Sequence, residues 1–477
     1  MTVGFHRPDW VEEREYQTKA VESWVNAGGQ GIFNMATGTG KTVTSLLTAT
    51  TVAEELDGNL ALIVAVPYQH LVDQWTDDLE DFNASPIRAY ESRAKWQERL
   101  EREFMEFNMG VRESLVVVTT HATFASEAFQ QALERLRRTE KMLIADEVHH
   151  LGAADKRKSL PDSISLRLGL SATPKRWYDE AGTDILFSYF GDGVVYEYSL
   201  AEAIDNGALC EYYYIPHVIE FTSEEAETYE ALSAKIANLA SELGDDLGDA
   251  DLQSNSSLKF ALFKRARLVG TAENKLSKLE EVMKQQRSVD HTLVYCGDGS
   301  VEDEVTGETK RHVDMTVELL RDNLELRVNR FTARESQSER EHLLDSFENG
   351  DLQALVAIRC LDEGVDVPAT QTAFVLSSSS NPRQFVQRRG RILRQHKNKQ
   401  YAVIHDFLVA PPTRVRPSSL DTSQFQTERS LIRKELERVQ LFADSARNHP
   451  DADVAAVPTG NSGSLGHLKE QYNLREM

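Results

Sequence analysis

The stretch Asn34-Met35-Ala36-Thr37-Gly38-Thr39-Gly40-Lys41-Thr42 combines two glycines with a terminal Lys-Thr pair, and a helix-forming run from Val43 to Thr50 follows it. Glycines let backbone N–H groups curl around anionic oxygens, and a helix N-terminus adds positive potential. With Lys41 able to reach the β- and γ-phosphates and the Thr42 hydroxyl open to Mg²⁺, the pattern reads as a cradle for a nucleoside triphosphate. Further along, the apolar run Met142-Leu143-Ile144-Ala145 ends in Asp146-Glu147-Val148-His149. Carboxylates at the carboxyl end of a buried strand lie where ligands bind in open parallel sheets. Asp146 is suited to hold Mg²⁺ through water, and Glu147 to orient and deprotonate an attacking water. A third apolar run, Leu168-Gly169-Leu170, stops at Ser171-Ala172-Thr173-Pro174, two small hydroxyl residues and a proline. In the second half, Gln384 to Arg394 places Gln387, Arg391 and Arg394 on adjacent helical turns. The guanidinium fork suits multidentate phosphate recognition. Read alone, this helix is a solvated or nucleic-acid-binding basic face; read with the phosphate loop, it supplies arginine fingers.

These groups need rigid elements to hold them. Short β-rich runs recur between helical stretches at Gly31 to Phe33, Leu60 to Val66, Leu115 to Thr119, Met142 to Ala145 and Leu166 to Leu170. The alternation restarts at His291 to Tyr295 and continues through Leu326 to Arg330, Ala354 to Ile358, Gln371 to Leu376 and Gln400 to Ile404. Strands alternating with helices imply parallel α/β sheets, here two of them. Thr222 to Ala240 and Leu258 to Gln286 read as helices on either side of the Gly/Asp/Ser-rich segment Glu242 to Ser257, and Thr427 to Ala443 reads as a helix in the tail. The expected organisation is a first α/β domain over 1–210, a helical, acidic connector over 211–264, a second α/β domain over 265–410 and a helical, frayed tail over 411–477.

Composition narrows the class further. There is no run of eighteen apolar residues and no apolar core of a signal peptide in Met1 to Trp10, so a membrane protein is not expected and the cytoplasm is the default compartment. Cys210, Cys296 and Cys360 are far apart and form no CxxC pair, which argues against a disulfide framework or a zinc site. The net charge of -23 opposes a polyanionic partner only in sum. Acids concentrate in Glu220 to Asp251 and Asp298 to Glu308, whereas Arg383 to Lys399 carries cations and no acid. Arg outnumbers Lys, and such an acidic, Lys-poor surface fits a salt-tolerant host. Three weaker patterns read as ordinary surface or packing: the D…ExK echo at Asp298, Glu308 and Lys310, the basic run Lys156 to Lys158, and the tyrosines Tyr212 to Tyr214.

In order along the chain, the motifs resemble those of helicase superfamily 2. Arg14-Glu15-Tyr16-Gln17 resembles the adenine-reading motif, Ala36 to Thr42 motif I, Val64 to Pro67 motif Ia, Thr119-Thr120-His121 motif Ib, Asp146 to His149 motif II and Ser171 to Thr173 motif III. Leu293 to Cys296 resembles motif IV, Phe331-Thr332 its companion, Gly364-Val365-Asp366-Val367-Pro368 motif V and Gln387 to Arg394 motif VI. The Asp-Glu-Val-His box and Arg167 to Pro174 are most similar to the branch that holds XPB-like proteins and the type I and III restriction motors. The resemblance implies two RecA-like domains with a helical connector and C-terminal helical extension, and an ATPase that drives helicase or translocase movement with ATP and Mg²⁺. It assigns Arg14, Gln17, Thr37, Gly38, Thr39, Gly40, Lys41, Thr42, Gly364 and Asp366 to the nucleotide, and Thr42 and Asp146 to the metal. Lys41, Asp146, Glu147, Gln387, Arg391 and Arg394 take catalytic roles, His149 and Gln387 bridge the domains, and Pro67, Thr120 and Phe331 lie along the nucleic acid. The implied partner is double-stranded DNA, with a nuclease or a repair or defence protein supplying any cleavage. An RNA-dependent ATPase, or an ATP-switched subunit of a repair or defence complex, is the alternative.

Overall fold

The computed structural model describes residues 5–137, 141–176, 179–241, 256–286, 288–302, 309–358, 367–377, 382–411, 422–448, 464–472, 474 and 476. Its contacts divide the chain into two units, Met1–Ala203 and Ile204–Met477. Each is an α/β unit with its own core.

In the first unit, strands β1 (Gln30–Met35), β2 (Ala61–Val66), β3 (Ile87–Ala89), β4 (Leu115–Thr120), β5 (Lys141–Ala145), β6 (Leu166–Ser171) and β7 (Val194–Tyr198) form one sheet in the order β3-β4-β2-β5-β6-β1-β7. All pairings are parallel. Strands β2, β4 and β5 are buried along their whole length, which is why they read as largely apolar runs: helices cover both faces of a parallel sheet, and no side of the strand needs a polar residue. The edge strand β7, Val-Val-Tyr-Glu-Tyr, has mixed exposure and lacks that signature. Neither β7 nor the three-residue β3 is legible in the sequence as a strand.

The second unit carries a parallel sheet in the order β12-β13-β9-β14-β15-β8, formed by β8 (Glu211–Glu220), β9 (Thr292–Tyr295), β12 (Val328–Phe331), β13 (Ala354–Ala357), β14 (Thr372–Val375) and β15 (Tyr401–Ala410). A separate antiparallel pair joins β10 (Ser300–Glu302) to β11 (Thr309–Arg311). The segment expected to be a connector from 211 therefore starts as a strand of this sheet. Tyr212 and Tyr214 are core residues of β8: Tyr214 stacks on Phe442 with ring centroids 5.3 Å apart, and Tyr212 Oη donates to the Phe442 carbonyl. The side-chain amide of Asn448 closes the outer edge of β8, accepting from Tyr214 N and donating to Tyr214 O, each at 2.8 Å. The helix expected from 258 to 286 is broken into Ser256–Gly270 and Asn274–Lys284. At the break Gly270 passes so close to Ser377 that a Cβ would lie 2.8 Å from its hydroxyl, and the Lys275 ammonium turns inward to the carbonyls of Val269 and Leu376.

No described helix is long and apolar enough to cross a membrane. Cys210 and Cys296 are buried and free, and Cys360 lies outside the described residues.

Three histidines lie in the interior of the second unit. Nε2 of His217 and Nδ1 of His405 are 2.9 Å apart, and Gln286 Nε2 is 3.0 Å from the other nitrogen of His405. Burial pushes His217 down to about 4, with Lys278 adding to the effect while Asp406 and Glu281 oppose it. Burial also pushes His405 well below its ordinary value, with His217 adding to the effect, and takes His312, beside Lys275, to about 4. Neutral in the native state but titrating near 6.5 when unfolded, these groups contribute stability that is complete above pH ~6.5 and is lost as pH falls toward 4. The thermal midpoint is expected to drop between pH 7 and pH 5, and calorimetry showing no change over that interval would contradict the reading.

Candidate nucleotide site

The order β5-β6-β1 settles the site's layout. Motif I leaves the carboxyl end of β1, motif II leaves β5, and motif III leaves β6 between them. Two interstrand spacings, roughly 10 Å, therefore separate the roots of the phosphate loop and the carboxylates. Gly38 and Gly40 adopt φ values of 88° and 79°, a left-handed conformation that side-chain-bearing residues resist, and helix Lys41–Glu55 starts immediately after them. Lys41 Nζ lies across the loop, 3.2 Å from Met35 O, and Thr39 Oγ1 donates to Ala36 O at 2.7 Å. Lys41 and Thr42 are half-buried, and the Thr37 hydroxyl is buried with no hydrogen-bond partner among the described residues.

The adenine-motif residues sit against this loop. Tyr16 Oη donates to Thr39 O at 2.7 Å, and its ring stacks on Tyr198 of β7 at 4.2 Å. Gln17 reaches Thr44 Oγ1 with Nε2 at 3.3 Å and accepts from the backbone N–H of Arg14 with Oε1 at 3.0 Å. Arg14 caps the helix Glu15–Asn26 and points a guanidinium nitrogen at Tyr16 Oη, 3.5 Å away.

Asp146 is fixed on both oxygens: Oδ1 accepts from Glu147 N at 2.9 Å and Oδ2 from Trp75 Nε1 at 3.1 Å. Its own backbone N–H continues the sheet to Ala65 O. Glu147 follows with φ 44°, a left-handed residue with a full side chain, which costs on the order of 1 kcal/mol and turns the chain sharply at the strand end. Glu147 Oε2 is 3.4 Å from His149 Nδ1, and the same nitrogen is 3.4 Å from Ser171 Oγ, which in turn accepts from Thr173 N at 3.0 Å. Arg176 secures the other side of this turn by donating to His149 O while its Nε pairs with Asp179 at 2.8 Å. Motifs II and III thus meet through a histidine buried within its own unit. Trp75, Tyr198 and Arg176 escaped the sequence reading because their partners are distant in sequence or on an unrecognised edge strand.

A magnesium nucleotide fits these residues. The Thr42 hydroxyl and the Asp146 carboxylate are hard oxygen donors, and Mg²⁺ ordinarily takes one or two carboxylates together with substrate phosphates. No group of three or more His, Cys, Asp or Glu able to hold a metal occurs among the described residues, and such a site needs none.

The remaining assignments fall elsewhere. In the second unit, Gln387 is buried and Arg391 half-buried on helix Pro382–Ile392, with Arg394 just past its end. Arg394 loses enough water to be pushed down to about 10. The intervening Arg388 and Arg389 anchor this helix: one donates to Ser377 O at 3.0 Å over the Tyr295 ring, the other to Leu441 O beside Phe442. Residues 204–210 belong with this unit, since Leu209 bridges to Arg394 and Cys210 N donates to Leu393 O at 2.8 Å. Gly364 and Asp366 lie outside the described residues. Pro67 is half-buried just beyond β2, Thr120 caps the short helix His121–Phe124, and Phe331 is wholly interior, with no exposed surface. Burial pushes His121, 3.2 Å from Ala65 O, down to about 3. Lys310 pairs with Glu318 at 3.2 Å, Arg157 approaches Asp179 at 3.8 Å, and Glu308 lies outside the described residues.

Residues 11–176 match the family described as type III restriction enzyme, res subunit, and residues 274–396 match the helicase conserved C-terminal domain. The two matches divide between the phosphate-loop sheet and the sheet bearing the basic helix, in the order that the motifs require. The chain belongs to helicase superfamily 2. Within that superfamily it falls in the branch of XPB-like proteins and restriction motors. It is 27% identical over 413 residues to the DNA 3'-5' translocase XPB2 of Sulfurisphaera tokodaii, covering 83% of this chain and 81% of that one. Among solved structures, the ATP-dependent type ISP restriction-modification enzyme LlaBIII bound to DNA superimposes with a TM-score of 0.58 at 17% identity, over 90% of this chain but 30% of that one. The Hef helicase domain of Pyrococcus furiosus gives a TM-score of 0.52 at 15% identity, over 85% of this chain and 97% of that one. These two share the RecA-like fold of the superfamily 2 ATPase.

The Trp75–Asp146 bond is the local test of the carboxylate's role. Trp75→Phe keeps most of the buried volume but removes the donor, and a hydrogen bond to a charged group contributes about 1.5–3 kcal/mol. Turnover is expected to fall about tenfold, with the Mg²⁺ concentration for half-maximal rate raised. Parental Mg²⁺ titrations in a folded variant would remove Asp146 from the metal assignment.

Proposed function

We propose that this superfamily 2 ATPase is a DNA translocase or helicase that hydrolyses ATP·Mg²⁺ at the phosphate loop of its first unit and moves on double-stranded DNA. The observation that carries the chemistry is the placement of Lys41 and Thr42 beyond β1 and of Asp146 and Glu147 beyond β5, with one strand between them. Thr37 to Thr42 hold the phosphates in this reading, while Gln17 and Arg14 read the base. Thr42 and Asp146 would hold Mg²⁺, which would supply positive charge against the phosphates. Glu147 accepts a proton from the attacking water, and its left-handed backbone and nearby His149 fix where that carboxylate stands. Arg391 and Arg394 are the arginines assigned to the developing charge on the γ-phosphate, Gln387 acts beside them, and Gly364 and Asp366 contact the nucleotide.

Support for DNA as the track comes from the names of the relatives, a DNA 3'-5' translocase and a DNA-bound restriction-modification enzyme. Contacts assigned to Pro67, Thr120, Phe331 and neighbouring backbone amides recognise phosphates in this reading and need no base sequence. A net charge of -23 is compatible with that, because phosphate contacts need local donors and not a positively charged whole surface. In this reading a nuclease or a repair or defence protein is the partner that supplies any cleavage of DNA.

Lys41→Ala is expected to abolish turnover and weaken ATP binding, whereas Glu147→Gln abolishes turnover and retains ATP. ATPase rates measured with duplex DNA, single-stranded DNA and RNA are expected to rise most with duplex DNA. Stimulation by RNA alone would favour an RNA-dependent ATPase, and wild-type turnover in either variant would overturn the site.

A further inference from the structure

Helix Ser256–Gly270, with the sequence Ser-Ser-Leu-Lys-Phe-Ala-Leu-Phe-Lys-Arg-Ala-Arg-Leu-Val-Gly, contains no carboxylate, in a chain where Asp and Glu number 76 against 53 Lys and Arg. One side packs on helix Ser223–Ser241. Leu258 and Ala261 are buried there, Leu268 and Val269 join a small apolar cluster, and Arg265 turns inward to Ser233 Oγ at 3.3 Å and to the Tyr229 ring. At 100° per residue, Lys259, Phe260, Phe263, Lys264 and Arg267 fall within roughly 140° on the opposite side, and all five are exposed. Phe260 and Phe263 are each 58% exposed. The Lys264 ammonium stands 4.9 Å from the centre of the Phe260 ring and that of Lys259 6.0 Å from the Phe263 ring, while Arg267 donates to Asp298 O at 3.3 Å.

A solvated face of an acidic protein ordinarily carries acids and no phenylalanines. Two open aromatic rings interleaved with ammonium groups, without a single carboxylate on the helix, match the two chemical faces of a nucleic-acid strand: flat bases that stack and phosphates that need cations. A closed duplex offers only its phosphates, because its bases are already stacked on one another. We infer that the stripe Lys259, Phe260, Phe263, Lys264 and Arg267 is a contact surface for a single nucleic-acid strand, taking a splayed base on the phenylalanines and the neighbouring phosphates on the cations. The inference rests on the motor reading above and extends it: beside the duplex track, this helix holds a strand whose bases are open.

The test compares the parent with Phe260→Ala/Phe263→Ala and with Lys259→Gln/Lys264→Gln, using fluorescence anisotropy of labelled oligo(dT) and of a blunt duplex across a salt series. All five side chains are on the surface and outside the nucleotide site, so ATPase without nucleic acid is expected to be unchanged in both variants. The phenylalanine variant is expected to raise the Kd for oligo(dT) by about tenfold or more, with the salt slope kept and duplex binding changed little. The lysine variant is expected to lower the log–log salt slope on oligo(dT) by about 1.4, two phosphate contacts at ~0.7 each. Parental oligo(dT) affinity in both variants, or an equal loss on duplex and single strand from the phenylalanine variant, overturns the inference. Failure of the motor reading looks different: the parent binds oligo(dT) through this face, yet its ATPase responds to no nucleic acid.

Discussion

The parallel pairing of β6 between β1 and β5 is the constraint on which the nucleotide site depends. Each strand is buried over most of its length, so its register is set by backbone hydrogen bonds and by packing against helices on both faces. A parallel arrangement brings all three carboxyl ends to one edge. The phosphate loop, the carboxylates and the Ser171 hydroxyl converge there, although they are far apart in the chain. A slip of one residue in β5 would turn Asp146 away from Trp75 and His149 from Ser171, so the polar contacts at the strand ends depend on apolar packing along the strands.

Polar groups at that edge hold one another in place. Trp75 donates to Asp146, the turn at Glu147 is held in a left-handed conformation, and His149 lies within reach of both Glu147 and Ser171. Such fixed dipoles need little reorganisation when charge develops in a reaction. The second unit is built by the same rule but spends its buried polar groups differently. Arg438 pairs with Asp406 and Glu435 at 2.9 Å each, Tyr214 Oη donates to Asp406 at 2.8 Å, and Lys275 satisfies two carbonyls. These groups fasten helix Thr422–Ala443 and helix Asn274–Lys284 to the sheet. Arg388 and Arg389 face inward because the carbonyls of Ser377 and Leu441 accept from them, while Arg391 and Arg394 are the arginines assigned to phosphate chemistry.

Much of this was legible in the sequence for a physical reason. Central parallel strands must be apolar throughout, so β2, β4, β5 and β13 announce themselves, and a phosphate loop must carry glycines at positions that need positive φ. Edge strands obey no such rule. β7 mixes exposed and buried positions, β3 has three residues, and the tyrosine-rich β8 reads as strand-like without revealing that it pairs with β15 over ten residues. The apparent helix from 258 to 286 looks continuous because each half has good helix formers. Its break is dictated by the close approach of Gly270 to Ser377 and by the buried Lys275, both contacts with a distant segment.

The sequence by itself determined the chemistry and its order: which side chains can hold phosphates, metal and water, and that two α/β units follow one another. Those properties reside in residue type and local spacing. Only the tertiary structure decided which groups steady them, because Trp75 against Asp146, Tyr198 against Tyr16 and Arg176 against His149 are pairs made by strand order, not by proximity in the chain. It also distinguished side chains that local pattern leaves equivalent. Phe331 is enclosed by the second core while Phe260 and Phe263 stand open, since burial is set by what packs against a residue.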